Sequence, residues 1–281
     1  VSNPLTGLDA EDVLDPTDFV WEASQYFSSH PDYADLPRKY KVGIFGHRSS
    51  GQVEINCMSF YGVKRSDGRV GYGVTVGGGL STEPFIAQDL NVWVAPEQAL
   101  ATMESITRIY RDHGYRKNRK HARLKYLMAD WGAEKMRNGI EEILGYKLEN
   151  AEEQPKVKGY EDKLGVFPQK QEGLSFVGVP VVGGRLRTDQ LDVVADLAQQ
   201  YGSGDIRLTV MQNFYIPNIK NEDVPAVVNR LNEIGLPVEV SAIKRGIVAC
   251  TGIEFCNLAV TETKQRAGNI VQMLDQGVKW E

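Results

Sequence analysis

The first half of the chain alternates short apolar runs with turn residues. Val42 to Phe45, Val53 to Val63 and Arg69 to Val76 have the composition of strands. The last two are separated by Ser66-Asp-Gly68, a combination typical of a hairpin turn. Because these strands follow one another closely, the pattern predicts a sheet built largely from sequence neighbours.

Helical periodicity appears on both sides of these strands. Asp18 to Phe27 forms an aromatic-rich helix candidate. After Pro96, which suits the start of a helix, apolar residues recur at helical spacing as far as Gly114. These residues are Leu100, Met103, Ile106, Ile109 and Tyr110. A second helix is predicted from about Lys117 to Gly132.

The second half has a different order of elements. We predict strand 174–182, helix 188–201, strands 206–211 and 214–219, helix 224–234 and strand 238–241. This order is typical of a split βαβ, or ferredoxin-like, unit. In the first of these helices, Leu191, Val194 and Leu197 share the apolar face, Thr188 is the predicted N-cap and Gly202 the stop.

A polar, charged segment without a periodic apolar face separates the two halves. We therefore predict an α+β protein with a first domain at 1–150, a linker at 151–163, a half-domain at 164–241 and the start of another domain at 242–281.

Bulk composition narrows the function classes. The 281 residues carry a net charge of −5, which argues against general nucleic-acid or membrane-surface binding. Three cysteines form no disulfide framework, and no apolar run approaches the roughly 20 residues that cross a bilayer. These features favour a cytoplasmic location. Because the chain opens with Val1 and Pro4 rather than Met, we expect it to start inside a longer parent.

Cys250 and Cys256 lie close together near the end of the chain, with Gly252 between them. Both thiols reach one metal cluster only if the loop folds back, which the glycine allows. Spacing alone is a weak signal for a cluster and favours two buried structural thiols.

The residues around these cysteines carry a resemblance. Ala249 to Lys264 resembles the first cysteine motif of the siroheme-dependent sulfite and nitrite reductases, especially the ferredoxin-dependent ones. Further segments fit the same family in the same order: Asn3 to Gly7, Leu36 to Lys41, Thr75 to Ser81, Gly165 to Gly173 and Gly204 to Thr209. The resemblance therefore covers essentially the whole chain.

The resemblance implies six-electron reduction of sulfite to sulfide or of nitrite to ammonia, with siroheme and a 4Fe-4S cluster as cofactors and ferredoxin as electron donor. It identifies 1–150 with the first cofactor-binding domain, 164–241 with the second ferredoxin-like half and 242–281 with the start of the second cofactor-binding domain. Cys250 and Cys256 become two of four cluster ligands. Since the family supplies the other two from a later segment, we expect this chain alone to lack the cofactors and activity.

Leu36-Pro-Arg-Lys-Tyr-Lys41 places three cations in four positions. If the segment is extended, Lys39 and Lys41 project to the same face, where two ammonium groups favour an anion between them. A solvated basic strand edge is the structural alternative. The resemblance implies that Lys39 and Lys41 contact the small anionic substrate and assist its protonation, and that Arg38 lies near the siroheme carboxylates.

The stretch from Arg111 to Lys125 is strongly basic. Arg116, Arg119, Lys120 and Arg123 recur at helical spacing, so a helix here would present one basic stripe. The resemblance implies that some of these cations neutralise siroheme carboxylates. The alternatives are a solvated helix face and a docking surface for acidic ferredoxin. In a cofactor-free binding module, the same stripe would dock an acidic protein or RNA.

The remaining candidates have weaker patterns. Gly77, Gly78 and Gly79 follow a strand and either admit a planar cofactor or make a strand-ending turn. They lack a nucleotide-binding fingerprint, which counts against a nucleotide-dependent oxidoreductase. Three polar residues near the second-half strands are candidate cofactor contacts, namely Arg207, Gln212 and Asn213. The four histidines, His30, His47, His113 and His121, show no metal-binding spacing and are interpreted as structural or surface residues. Cys57, where the family more often has aspartate, is interpreted as a packed thiol.

Overall fold

A computed structural model describes residues 1–153 and 162–277. The chain divides into two compact units, Val1–Glu161 and Asp162–Glu281. Residues 154–161, within the predicted linker 151–163, and residues 278–281, the end of the predicted last segment, lie outside the described residues.

The first unit contains a sheet whose strands follow chain order. Its strands are β1 Val42–Phe45, β2 Met58–Lys64, β3 Val70–Val76, β4 Gln88–Val94 and β5 Glu149–Asn150. β1 pairs with β2 in parallel, and every later pair is antiparallel. The predicted hairpin is confirmed, with Gly68 at φ +88° in its turn. Val53–Ile55 forms a 3-10 turn, so β2 begins five residues later than predicted.

Three helices cover this sheet, namely α1 Thr17–Ser29, α2 Ala99–His113 and α3 Leu124–Leu144. The main core gathers alternate strand residues such as Met58 and Phe60 together with Met103 and Ile106 of α2. A smaller cluster that includes Tyr61 and Trp93 covers other strand positions. Because β2 and β3 are buried at nearly every position, their sequences show little polar alternation.

The predicted helix from Lys117 to Gly132 is wrong at both ends. Residues 117–123 are irregular apart from a 3-10 turn at Arg119–His121, and α3 begins at Leu124. Cations at the start of a helix oppose its dipole, and the Asn118 side chain accepts from the Lys120 N–H instead. At the other end, Gly132 takes φ 73° inside a kink and the helix continues to Leu144.

The second unit is a four-stranded antiparallel sheet with two helices packed on it. The strands are β6 Gly165–Pro168, β7 Leu174–Val179, β8 Arg207–Leu208 and β9 Phe214–Lys220, in the order β6-β7-β9-β8. The helices α4 Thr188–Tyr201 and α5 Val224–Glu233 contribute Val194, Leu197, Val227 and Leu231 to its core. This confirms the ferredoxin-like prediction.

Several predicted details of this unit are wrong. Residues 238–241 form no strand, although Val238 is buried, because β6 occupies the sheet edge beside β7. The strand predicted at 206–211 is only Arg207–Leu208, since the chain turns where Gln212 takes φ 67°. Leu191 is 46% exposed rather than buried with its predicted partners.

The ends of α4 and the last helices complete the unit. Gly202 caps α4 as predicted, while the N-cap is Arg187 rather than Thr188. Two helices follow, α6 Ala242–Gly246 and α7 Lys264–Gly277. Within the described residues, no helix has both the length and the apolar character needed to span a membrane.

Candidate functional site

Cys57 joins three of the sequence-predicted segments in the first unit. Its thiol lies 3.8 Å from the Lys39 carbonyl oxygen, to which it donates, and 3.8 Å from Nη2 of Arg123. Its own carbonyl oxygen accepts from the Gly77 N–H at 2.8 Å. Cys57 is fully buried. The basic segment Leu36 to Lys41, the glycine run Gly77 to Gly79 and Arg123 therefore converge around one buried thiol.

The basic segment is anchored through its backbone. The Tyr110 hydroxyl shares its proton between the carbonyl oxygens of Ala122, at 2.9 Å, and Arg38, at 3.3 Å. The Lys41 carbonyl accepts from the Met58 N–H at 3.2 Å. Burial raises the pKa of Tyr110 to about 12, so this hydroxyl keeps its proton at neutral pH. Tyr40 turns inward and stacks on Tyr110 with ring centroids 5.3 Å apart.

Lys39 and Lys41, on either side of Tyr40, are both exposed. This alternation is what an extended segment predicts. Among residues 1–153 and 162–277, no carboxylate forms an ion pair with Lys39, Lys41 or Arg38. The segment therefore holds exposed cations on a fixed backbone without neutralising them.

The glycine run is packed against protein atoms. All three glycines are buried, and Gly77 takes φ 91°. A Cβ at Gly78 would lie 2.3 Å from the Glu54 carbonyl oxygen, and one at Gly79 would lie 2.7 Å from Nη2 of Arg123. Because glycine has no side chain, the neighbouring backbone and the Arg123 guanidinium can pack directly against this run.

Lys125 is a buried cation that sequence reasoning did not single out. It is 1% exposed, and its amine donates to the carbonyl oxygens of Leu80, at 3.2 Å, and Glu83. Burial and the neighbouring Arg123 lower the pKa of Lys125. Arg123 also donates to the Leu80 oxygen, at 3.4 Å. The only sequence signal for Lys125 was its place in the basic stretch from Arg111 to Lys125, which does not distinguish it from exposed lysines.

The other members of the predicted basic stripe do not share a helical face. Arg116 lies in irregular chain and donates to the Asp35 carboxylate at 3.1 Å. Arg119 and Lys120 are exposed on the 3-10 turn. The single-face stripe is therefore a wrong prediction, because its premise, a continuous helix, does not hold.

In the second unit, the two cysteines lie on a folded loop. Gly252, at φ 68°, accepts from the Cys256 N–H at 3.0 Å, so the chain turns between the two thiols as predicted. Cys250 is exposed and Cys256 half-buried, which is unlike a pair of buried structural thiols. Hydrogen bonding with Thr263, the Gly252 backbone and the charge of Lys264 lower the pKa of the Cys250 thiol. The loop therefore favours the thiolate that binds metals.

Gln212 and Lys264 anchor the start of this loop. The Gln212 amide donates to the Ala249 carbonyl at 2.8 Å. The Lys264 amine donates to the same carbonyl at 2.9 Å and to the Gln212 side-chain oxygen at 3.2 Å. Gln212, predicted as a cofactor contact, thus contacts the residue before Cys250 and positions the cysteine.

The other two predicted polar residues lie differently. Asn213 is buried, donates to the Asp162 carboxylate at 2.7 Å and accepts from the Val181 N–H at 2.8 Å. These contacts hold β7 and β9 together at one end. Arg207 is half-buried on β8.

The loop that carries Cys250 and Cys256 also carries four large, exposed apolar side chains. The exposed fractions are 57% for Ile253, 83% for Phe255, 88% for Leu258 and 93% for Val260. Sequence periodicity did not mark these residues, since they lie in a loop.

Comparison with known proteins agrees with this geometry. The family model described as "Nitrite and sulphite reductase 4Fe-4S domain" matches residues 1–148, and the "Nitrite/Sulfite reductase ferredoxin-like half domain" matches residues 167–234. Sulfite reductase [ferredoxin] 1 of Mycolicibacterium paratuberculosis is 38% identical over 98% of this chain and 49% of its own length. The chloroplastic ferredoxin–nitrite reductase of Arabidopsis thaliana is 37% identical, with 98% and 49% covered.

A solved structure supports the same assignment. The Mycobacterium tuberculosis NirA protein superposes with a TM-score of 0.91 at 38% identity, covering 98% of this chain and 50% of that one. The chain thus spans about half the length of the relatives it matches. With a 4Fe-4S domain model over more than half of its residues and this structural match, the chain belongs to the nitrite and sulfite reductase family.

Proposed function

We propose that this chain forms part of a ferredoxin-dependent reductase that carries out the six-electron reduction of sulfite or nitrite. The observation that carries the proposal is the pair Lys39 and Lys41, exposed and without ion pairs in the described residues, on a segment anchored at both ends. Two fixed cations favour a small anion between them. The ferredoxin-dependent relatives support the activity and the electron donor.

Lys39 and Lys41 bind the oxygens of the anion and give protons to them as they are reduced. Anchoring through Tyr40 and Tyr110 keeps the two ammonium groups in position, which lowers the entropy lost on binding. Tyr110 keeps its proton and serves as a hydrogen-bond donor only.

The thiols of Cys250 and Cys256 supply two of the four ligands that a 4Fe-4S cluster requires. The donor chemistry fits, because the loop favours thiolate and folds back at Gly252. Within the described residues, no third cysteine lies on this loop. The proposal takes the other two ligands from positions away from this loop.

Exposed cations suit the carboxylates of siroheme, and we assign Arg38, Arg119 and Lys120 to them, together with the half-buried Arg123. Arg116 and Arg207 remain candidates for the same carboxylates. Gly77, Gly78 and Gly79 act by letting Arg123 and the neighbouring backbone pack closely. Siroheme and the cluster, when bound, supply the redox chemistry and single-electron transfer. We also propose that residues 151–163 link the domain at 1–150 to the half-domain at 164–241.

The test uses the product of the full reading frame, purified anaerobically with tetrapyrrole supplied. We expect iron and visible absorption in this protein, with turnover of sulfite or nitrite by reduced ferredoxin. Lys41→Ala should lower turnover at least about tenfold while siroheme absorption is retained. Lys64→Ala, another exposed lysine in the same unit, is the matched control.

Cys250→Ser tests the cluster assignment separately. We expect loss of cluster absorption and iron, whereas Thr251→Ser, on the same exposed loop, should retain both. A colourless, iron-free parent, or Lys41→Ala with full turnover, contradicts the proposal.

A further inference from the structure

A cluster of metal-ligating side chains lies in the first unit, among residues to which the reductase chemistry assigns no role. Asp9 and Asp12 belong to the N-terminal segment, and His47 lies just after β1. One ligand atom from each lies within 4.8 Å of the others. His47 Nε2 is 3.7 Å from Asp9 Oδ2 and 4.0 Å from Asp12 Oδ1.

This cluster is buried, unlike an ordinary acidic surface. The Asp9 and Asp12 side chains are 3% and 2% exposed, and His47 is 14% exposed. Two neighbouring carboxylates in this setting repel each other and lose hydration, which is costly without a compensating cation.

Two polar side-chain atoms of these residues lack any hydrogen bond. Asp12 Oδ2 and His47 Nε2 are both buried and without a partner. Asp12 as a whole is 9% exposed, and it has no arginine or lysine partner in the described part of the chain. The nearby guanidinium of Arg48 turns away to Asp89 and Tyr61. Buried polar atoms without partners point to a missing ligand.

The backbone holds these groups together. Val13 N–H donates to the Gly46 carbonyl at 3.0 Å, and Asn3 Nδ2 donates to the Ser50 carbonyl at 2.5 Å. Gly46 packs directly on the Asp12 carboxylate, because a Cβ there would lie 2.1 Å from its Oδ1. The N-terminal segment and the end of β1 are thus joined before any ion binds.

We propose that Asp9, Asp12 and His47 form a structural binding site for a divalent transition-metal ion, Zn²⁺ by its ligand chemistry. Two carboxylates and a neutral imidazole balance the charge of the ion and are ligands that zinc accepts. Ligand atoms about 2.1 Å from a tetrahedral zinc ion lie about 3.4 Å apart. The two separations from His47 Nε2, 3.7 and 4.0 Å, exceed this spacing by about 0.3 and 0.6 Å. The ion fastens the N-terminal segment to the end of β1.

The test must exclude the thiols of Cys250 and Cys256, which also bind zinc. We use the full chain with both replaced by serine, stripped of metal, and titrate it with ZnCl₂ by calorimetry. CoCl₂ provides a second probe, because nitrogen and oxygen ligands give weak visible bands without sulfur charge transfer. We expect one equivalent of zinc and a higher thermal midpoint when zinc is bound.

His47→Gln and Asp12→Asn should each weaken zinc affinity by at least tenfold and abolish the thermal shift. His113→Gln and Asp18→Asn, both exposed, are the matched controls. They should keep the zinc affinity and the thermal shift of the double-serine chain. Circular dichroism verifies folding, and if Asp12→Asn does not fold, His47→Gln decides. The proposal is overturned if His47→Gln binds zinc as tightly as the double-serine chain does. It is also overturned if the double-serine chain binds no zinc at tenfold excess.

Discussion

Two buried residues of the first unit, Cys57 and Tyr110, hold neighbouring segments through main-chain contacts. Cys57 contacts the Lys39 carbonyl with its thiol and the Gly77 N–H with its carbonyl. Tyr110 donates to the Arg38 carbonyl. Because each contact is made to the main chain, the exposed side chains of Arg38, Lys39 and Lys41 remain available for ligands.

The glycine run allows a prediction at this scale. Gly78→Ala should lower the free energy of unfolding by at least about 3 kcal/mol, because its Cβ meets the backbone oxygens of Glu54 and Asn56. Gly79→Ala should cost about 1 kcal/mol, since the end of the Arg123 side chain can move aside. Urea unfolding measures both, and equal costs would contradict the packing role given to Gly78.

At the scale of elements, a buried side-chain network connects the end of α3 to the chain that follows it. The C-terminal end of α3 is joined to the chain before β5 through Glu141, which is 6% exposed. Its carboxylate accepts from Arg137 at 2.9 Å, Lys147 at 2.6 Å and the Leu148 N–H at 3.2 Å. Burial alone would raise the pKa of Glu141, but the hydrogen bonds outweigh it and the pKa is lowered.

This network predicts a pH dependence. Because the folded pKa of Glu141 lies below its unfolded value of 4.5, its stabilisation is present above that value and is lost as pH falls through the folded pKa. Glu141→Gln should therefore cost about 1–3 kcal/mol at pH 7 and less at pH 3. Urea unfolding at the two pH values measures this. Glu142→Gln, an exposed neighbour, is the control, and a cost independent of pH would contradict the role of the charge.

At the scale of the whole molecule, each hydrophobic core is contained in one unit. The main core of the first unit includes Met103, and the core of the second includes Leu231, both 0% exposed. No residue of one core belongs to the other among the described residues.

A substitution in either core should therefore act locally. Met103→Ala and Leu231→Ala should each cost about 2–5 kcal/mol. Hydrogen exchange should speed up in residues 1–153 for the first variant and in residues 162–241 for the second. Matched acceleration of both regions by either variant would show that the cores unfold together.

Local sequence determined a large part of the architecture. β1 and α4 have the predicted bounds, and the hairpin at Ser66 to Gly68 and the ferredoxin-like order of the second unit are confirmed. These features depend on residues close in the chain, where periodicity and turn chemistry act directly. The motifs also identified the family, because motif order is itself a property of the sequence.

Only the tertiary structure decided which distant residues meet. Neither the gathering of Lys39, Gly77 and Arg123 around Cys57 nor the approach of His47 to Asp9 and Asp12 follows from spacing, because the segments are far apart in the chain. The same applies to β6, which pairs with β7 at the sheet edge, whereas residues 238–241 form no strand. Burial and hydrogen bonding between distant segments depend on the packed chain as a whole, so local patterns do not contain them.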